Sequence, residues 1–143
     1  MRAFIYCDID GVLHPWPCSL GRMFDPVCIT RLENVLRPHD AGVVITSTWR
    51  LEWPLDRIRA QLGVLQSYVI DVTPDIDDPF LRYGRYQEVL LHQERTVMKR
   101  SRWIAIDDEA GRYPGHLDNV ILTNPATGFS ETDAARLSFL LGS

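Results

Sequence analysis

Cysteine is scarce in this chain, and what there is forms no pattern. Cys7, Cys18 and Cys28 are odd in number and contain no CxxC pair, which argues against a disulfide framework or a structural zinc site and for a reducing compartment. Lysine is scarcer still, Lys99 being the only one. No apolar run approaches the roughly 18–20 residues that a membrane span requires. Arg2 and the short apolar stretch behind it superficially suggest a signal peptide. Two acids follow at once without a small-residue cleavage site, so a buried strand is the better reading and a cytoplasmic location is expected. Long runs of one charge are missing too, and the net charge of −4 advertises no broad electrostatic surface for nucleic acid. Low-complexity tracts, internal repeats and linkers are likewise absent. A length of 143 residues with 45% hydrophobic and 24% charged residues fits one domain over 1–143 with a single two- or three-layer core.

Five short apolar runs are present, at 3–7, 42–46, 68–72, 103–106 and 120–123. Four are continuous rather than alternating, as suits strands buried on both faces of a parallel sheet. Helical patterns separate them. Asp25 and Pro26 supply an N-cap and a first-turn proline, followed by Val27, Ile29, Leu32, Val35 and Leu36 at helical spacing. Pro54 opens a second helix with Leu55, Ile58 and Leu62 on one face. A third runs from Arg82 or Arg85 to Glu94, with Val89, Leu90 and Leu91 inside. Ser130 caps the last, ahead of Ala134, Leu137, Phe139, Leu140 and Leu141. Such alternation predicts an α/β sandwich with right-handed crossovers. Residues 14–24 and 73–83 break the pattern and read as long loops at the carboxyl ends of strands, where open parallel sheets place their ligands.

Chemistry gathers at those same ends. Asp8 and Asp10 follow the first strand, and on an extended chain they would face opposite ways. The chain must therefore turn at Asp10, and Gly11 tolerates that turn. Two acids so placed can share a hard, oxygen-loving cation such as Mg²⁺. Asp8 is the natural nucleophile for a phosphoryl group, and Asp10 a general acid and base. On its own the string reads more readily as an ordinary turn. Its weight comes from Thr46 and Ser47, which end the second strand with hydroxyls and free amides suited to phosphate oxygens. It also comes from Asp107, Asp108 and Glu109 after the fourth strand, which repel one another unless a cation or water lies among them. A cationic side chain is still needed. Arg85 is the first choice, Arg82 its rival, and Lys99, near the opposite end of the sheet, reads as a solvated surface charge. Trp16, Trp49 and Trp53 lie near loop ends, placed either as partial core residues or to stack on a base.

The pattern resembles the haloacid dehalogenase-like superfamily of aspartate-nucleophile phosphatases. The first motif stands as Asp8-Ile9-Asp10-Gly11-Val12-Leu13, the hydroxyl motif as Val43-Val44-Ile45-Thr46-Ser47, and the acidic motif as Ile104-Ala105-Ile106-Asp107-Asp108. Thr46-Ser47-Thr48-Trp49-Arg50, Thr73-Pro74 and Arg85-Tyr86-Gln87-Glu88-Val89 are similar to a small bacterial branch related to nucleic-acid-repair phosphatase domains. The resemblance implies a Rossmann-like three-layer sandwich whose five-stranded parallel sheet has the order 5-4-1-2-3. It implies Mg²⁺ held by Asp8, the backbone carbonyl of Asp10, and Asp107, with Asp108 as an outer or alternative ligand. Phosphate would be bound by Thr46, Ser47, Arg85 and the Gly11 turn. Where the superfamily most often has Lys, this chain has Arg, so only the electrostatic role carries over. Asp10 argues against carbon–halogen chemistry, and the two loops leave no room for a cap domain. The expected function is a Mg²⁺-dependent phosphatase acting on a small phosphorylated molecule or a nucleic-acid end. The alternatives are a phosphotransferase, or a non-catalytic, receiver-like signalling domain in which Asp71 resembles a phospho-acceptor. Against the receiver, Asn124 and Pro125 follow the fifth strand where a receiver has Lys.

Overall fold

A computed structural model describes residues 3–96 and 102–142. Its strands are β1 (Ala3–Cys7), β2 (Ala41–Ile45), β3 (Val69–Val72), β4 (Arg102–Asp107) and β5 (Val120–Leu122). All pair in parallel in the order β3-β2-β1-β4-β5, the expected arrangement read from the other edge. Placing β1 between β2 and β4 also excludes the receiver topology, which sets β1 between its second and third strands.

The helices are α1 (Pro26–Leu36), α2 (Trp49–Glu52), α3 (Leu55–Gln61), α4 (Gly84–Arg95) and α5 (Glu131–Gly142). Asp25 caps α1 by accepting from the Val27 amide, and the Ser130 hydroxyl accepts from Asp133 while Asp133 accepts from the Ser130 amide. The short α2 was not expected, and β2 ends at Ile45, so Thr46 already belongs to the turn. On α4 the inward residues are Glu88, Val89, His92 and Gln93, while Leu90 and Leu91 are only half-buried. The polar members of that face all have partners: Gln93 donates to the Tyr6 hydroxyl, Tyr6 pairs with His92 Nδ1, and His92 Nε2 pairs with Asp71 at 2.8 Å. Phe139 of α5 is exposed.

Strand alternation sorts the core into two layers and also aims the acids. Ala3, Ile5, Cys7, Ile104 and Ile106 join the larger cluster with Leu32, Ile58, Leu65 and Leu137. Phe4, Tyr6, Val44 and Ala105 face the other way, against Val89 and Tyr113. That parity sends Asp8, one step past β1, and Asp107, the last residue of β4, toward the amino end of α4, where Arg85 sits.

Candidate active site

The chain bends at Ile9, one residue earlier than expected. Both Val12 and Leu13 donate backbone N–H groups to the Ile9 carbonyl, and the Ile9 side chain is swallowed by the core. That bend brings Asp8 and Asp10 to one cleft. Gly11 follows with φ +76°, and a Cβ there would lie 2.3 Å from Asp108 Oδ2. The position therefore demands glycine twice, for its dihedral and for the closeness of Asp108.

The cleft has a volume of about 110 Å³ and is lined by Asp8, Asp10, Trp16, Ser47, Thr48, Arg85, Asp108, Glu109 and Arg112. A larger groove of about 850 Å³ lies between α1 and α5, beside Val27, Arg31, Val35 and Ala134, and gathers none of these acids. Ligand oxygens of Asp8, Asp107 and Asp108 lie within 4.8 Å of one another. Arg85 Nη1 bridges Asp107 Oδ2 at 2.9 Å and Asp8 Oδ2 at 3.2 Å, while Arg82 turns away to the Tyr83 hydroxyl. Lys99 lies outside the described residues. The Thr46 hydroxyl is fully buried and has no hydrogen-bond partner, whereas Ser47 and Thr48 line the cleft.

Arg112 was not anticipated. Its Nη1 sits 2.9 Å from Asp8 Oδ2, 2.7 Å from Asp107 Oδ1 and 3.4 Å from Asp108 Oδ1. The Arg112 nitrogen thus meets all three carboxylates, and Arg85 Nη1 meets two of them. That donor set, hard carboxylate oxygens converging on positive charge, fits Mg²⁺. The clue in the sequence was its position four residues beyond Asp108, within reach of an acidic triplet that needed a cation. Burial pushes Asp8 upward, with Asp107 adding to the shift against Arg85 and Arg112. Asp108 is raised to about 7 by burial and then by the charges of Asp8 and Asp107.

Asp10 sits differently. Its Oδ1 pairs with His14 Nε2 at 2.8 Å and accepts from the Trp49 indole N–H at 3.1 Å. Burial alone would raise its carboxyl, but these hydrogen bonds outweigh burial and hold it below the ordinary carboxylate value. His14, another residue the sequence did not single out, is fully buried.

Arg50 pins the rim of the cleft. All five of its donors are used: Nε on the Thr73 carbonyl, Nη1 on those of Thr46 and Ser47, and Nη2 on the Pro74 carbonyl and Glu88 Oε2. It thereby ties the exits of β2 and β3 to α4. Of Trp16, Trp49 and Trp53, Trp49 packs edge-on to Trp53 at 4.7 Å, and Arg57 covers Trp53 at 3.9 Å. Trp16 is 48% exposed and lines both the cleft and an adjoining pocket with Met23, Trp49 and Leu51.

A central parallel strand ending in Asp-x-Asp, with an acidic pair on its neighbour, defines a haloacid dehalogenase-like domain. Residues 4–134 match the family described as the HAD domain in Swiss Army Knife RNA repair proteins, and the chain belongs to that family. Membership brings phosphatase- or hydrolase-type chemistry, in a family that generally uses Mg²⁺. No curated protein matches the chain. Among the described residues, no helix is long and apolar enough to cross a membrane.

Proposed function

We propose that this protein is a Mg²⁺-dependent phosphomonoester hydrolase that works through an aspartyl phosphate on Asp8. The observation that carries the reading is the sharing of one cleft by Asp8 and Asp10, with Arg85 reaching in from α4. Asp8 attacks phosphorus as the bond to the leaving oxygen breaks, and Asp10 passes to that oxygen a proton that its carboxylate takes up from the singly protonated phosphate ester as it binds. Asp10 then takes a proton from water, whose oxygen attacks phosphorus and frees the Asp8 carboxylate. Arg85 holds the phosphoryl oxygens and balances the buried acids, and the Ser47 and Thr48 groups add donors. Mg²⁺ would be held by Asp8, Asp107 and Asp108, in the position Arg112 takes here, and would supply electrostatic relief between carboxylate and phosphoryl group.

The favoured substrate is a terminal phosphate on a nucleic-acid strand. The family's description and the exposed face of Trp16 beside the cleft support it, since a base can stack there. Phosphorylated metabolites are the competing class. Hydrolysis of 3′- and 5′-phosphorylated oligonucleotides, measured beside a metabolite panel with Mg²⁺, decides between them. Preference for metabolites would sink the nucleic-acid assignment. Beryllium fluoride with Mg²⁺ should give a trapped species touching Asp8 and Arg85; an anion held elsewhere would remove the nucleophile from its role.

A further inference from the structure

Within the proposed mechanism, and resting on it for the role of Asp10, we infer that His14 is a positioning residue. Together with Trp49 it occupies Asp10 Oδ1 and leaves Oδ2 as the oxygen that carries the catalytic proton. The Phe24 amide donates to His14 Nδ1 at 3.0 Å. An imidazole nitrogen that accepts from an N–H bears no proton, so the proton of neutral His14 is on Nε2. Nε2–H then donates to Asp10 Oδ1 at 2.8 Å, and the Trp49 indole N–H reaches the same oxygen at 3.1 Å.

Both donors fall on one oxygen. A carboxyl proton on Oδ1 would face two N–H groups, so protonation is directed to Oδ2. His14 is itself held firmly. It is wholly enclosed, Phe24 packs edge-on to its ring at 5.7 Å, and Phe24 keeps a left-handed φ of +55° with its amide on Nδ1. A bulky residue does not adopt that backbone without compensation. The chain of contacts from Phe24 through His14 to Asp10 therefore sets the carboxyl plane before substrate arrives, the kind of support on which an acid's efficiency depends.

The test compares wild type, His14→Ala, His14→Gln, Trp49→Phe and Asp10→Asn on aryl phosphates whose phenols run from strongly to weakly acidic. The value of kcat/KM reports Asp8 phosphorylation, where a poor leaving group needs the proton and a good one does not. His14→Ala should lose about 10- to 100-fold on the least acidic phenol and under about threefold on the most acidic, with KM nearly unchanged. Trp49→Phe should move the same way by a smaller factor. His14→Gln, which keeps an N–H donor, should recover part of the loss. Nitrogen NMR of the metal-free protein should find His14 Nε2 protonated and Nδ1 bare. An equal loss across the phenol series, or a protonated Nδ1, overturns the inference. Should His14→Ala fail to fold, Trp49→Phe and the NMR assignment carry the test. If Asp10→Asn is itself indifferent to leaving group, the acid/base reading of Asp10 fails. If Asp10→Asn is steep while His14→Ala and Trp49→Phe are flat, the role of His14 alone fails.

Discussion

Asp8 and Asp10 stand two residues apart in one motif, yet their surroundings have little in common. Asp8 is buried among like charges, with Asp107 and Asp108 against it and two guanidinium groups between them. Asp10 is partly open and held by the ring N–H groups of His14 and Trp49. Burial raises the first carboxyl, while hydrogen bonding lowers the second. Two acids pushed apart by their environments are suited to different work. The acid among charges is matched to a cation and a phosphoryl group, and the acid among fixed dipoles is matched to moving a proton.

The most severe test of that contrast is Asp8→Asn. The variant should lose at least about 10³-fold in turnover of an aryl phosphate while its circular dichroism stays native. Retained activity would remove Asp8 from the nucleophile's role and the contrast with it. Arg85→Ala comes next, with an expected loss of about 10²- to 10³-fold in kcat/KM. Because Arg85 touches Asp8 and Asp107 and not Asp10, the loss should be uniform across leaving groups. A loss that steepens for poor leaving groups would mean that the two halves of the cleft are not independent. Arg85→Lys, which keeps the charge without the fork, should recover part of the rate.

Much of this frame was legible in the sequence because parallel strands make themselves known by continuous apolar runs, and the acids follow them directly. The sheet order came from the resemblance carried by three short motifs. Reading the sites was harder where long-range geometry decides. Arg85 was reachable because α4 begins after a proline-bearing loop, and Arg85 is then the second residue of the helix. Arg112 and His14 were missed for opposite reasons. Arg85 and Arg82 stand near the start of a helix, where a cation for the cleft is expected, while Arg112 sits in a single 3₁₀ turn from Ala110 to Arg112. His14 lies at the start of an irregular loop, and nothing local says that residue 24 will return its amide to the imidazole. The face of α4 was misjudged for a related reason. Leu90 and Leu91 look like the interior by composition, but Glu88, His92 and Gln93 are buried because Arg50, Asp71 and Tyr6 meet them from other elements.

On the charged side, Arg112 and a divalent cation require the same three carboxylates. Arg112→Ala should therefore tighten Mg²⁺ binding, by about three- to tenfold given that its side chain is 28% exposed. Calorimetry without substrate reads this directly. Weaker binding in the variant would mean that Arg112 helps to hold the ion rather than standing in for it.

A smaller effect sharpens the same comparison through protons. Asp108 is raised to about 7 by burial and the neighbouring acids, with Arg112 pulling against them. A carboxyl with a raised value keeps its proton below that pH, and the ion needs the carboxylate, so binding must expel the proton. In wild-type protein, Mg²⁺ should release about one proton per ion near pH 6 and close to none by pH 8. Heats measured in buffers of different ionisation enthalpy give that number. Removing Arg112 takes away a nearby charge that lowers Asp108, so the release should persist to higher pH in Arg112→Ala. Asp10, held low by His14 and Trp49, contributes no proton at any pH in this range. A release that disappears in Asp10→Asn but survives in Asp108→Asn would reverse the assignment of the two regions.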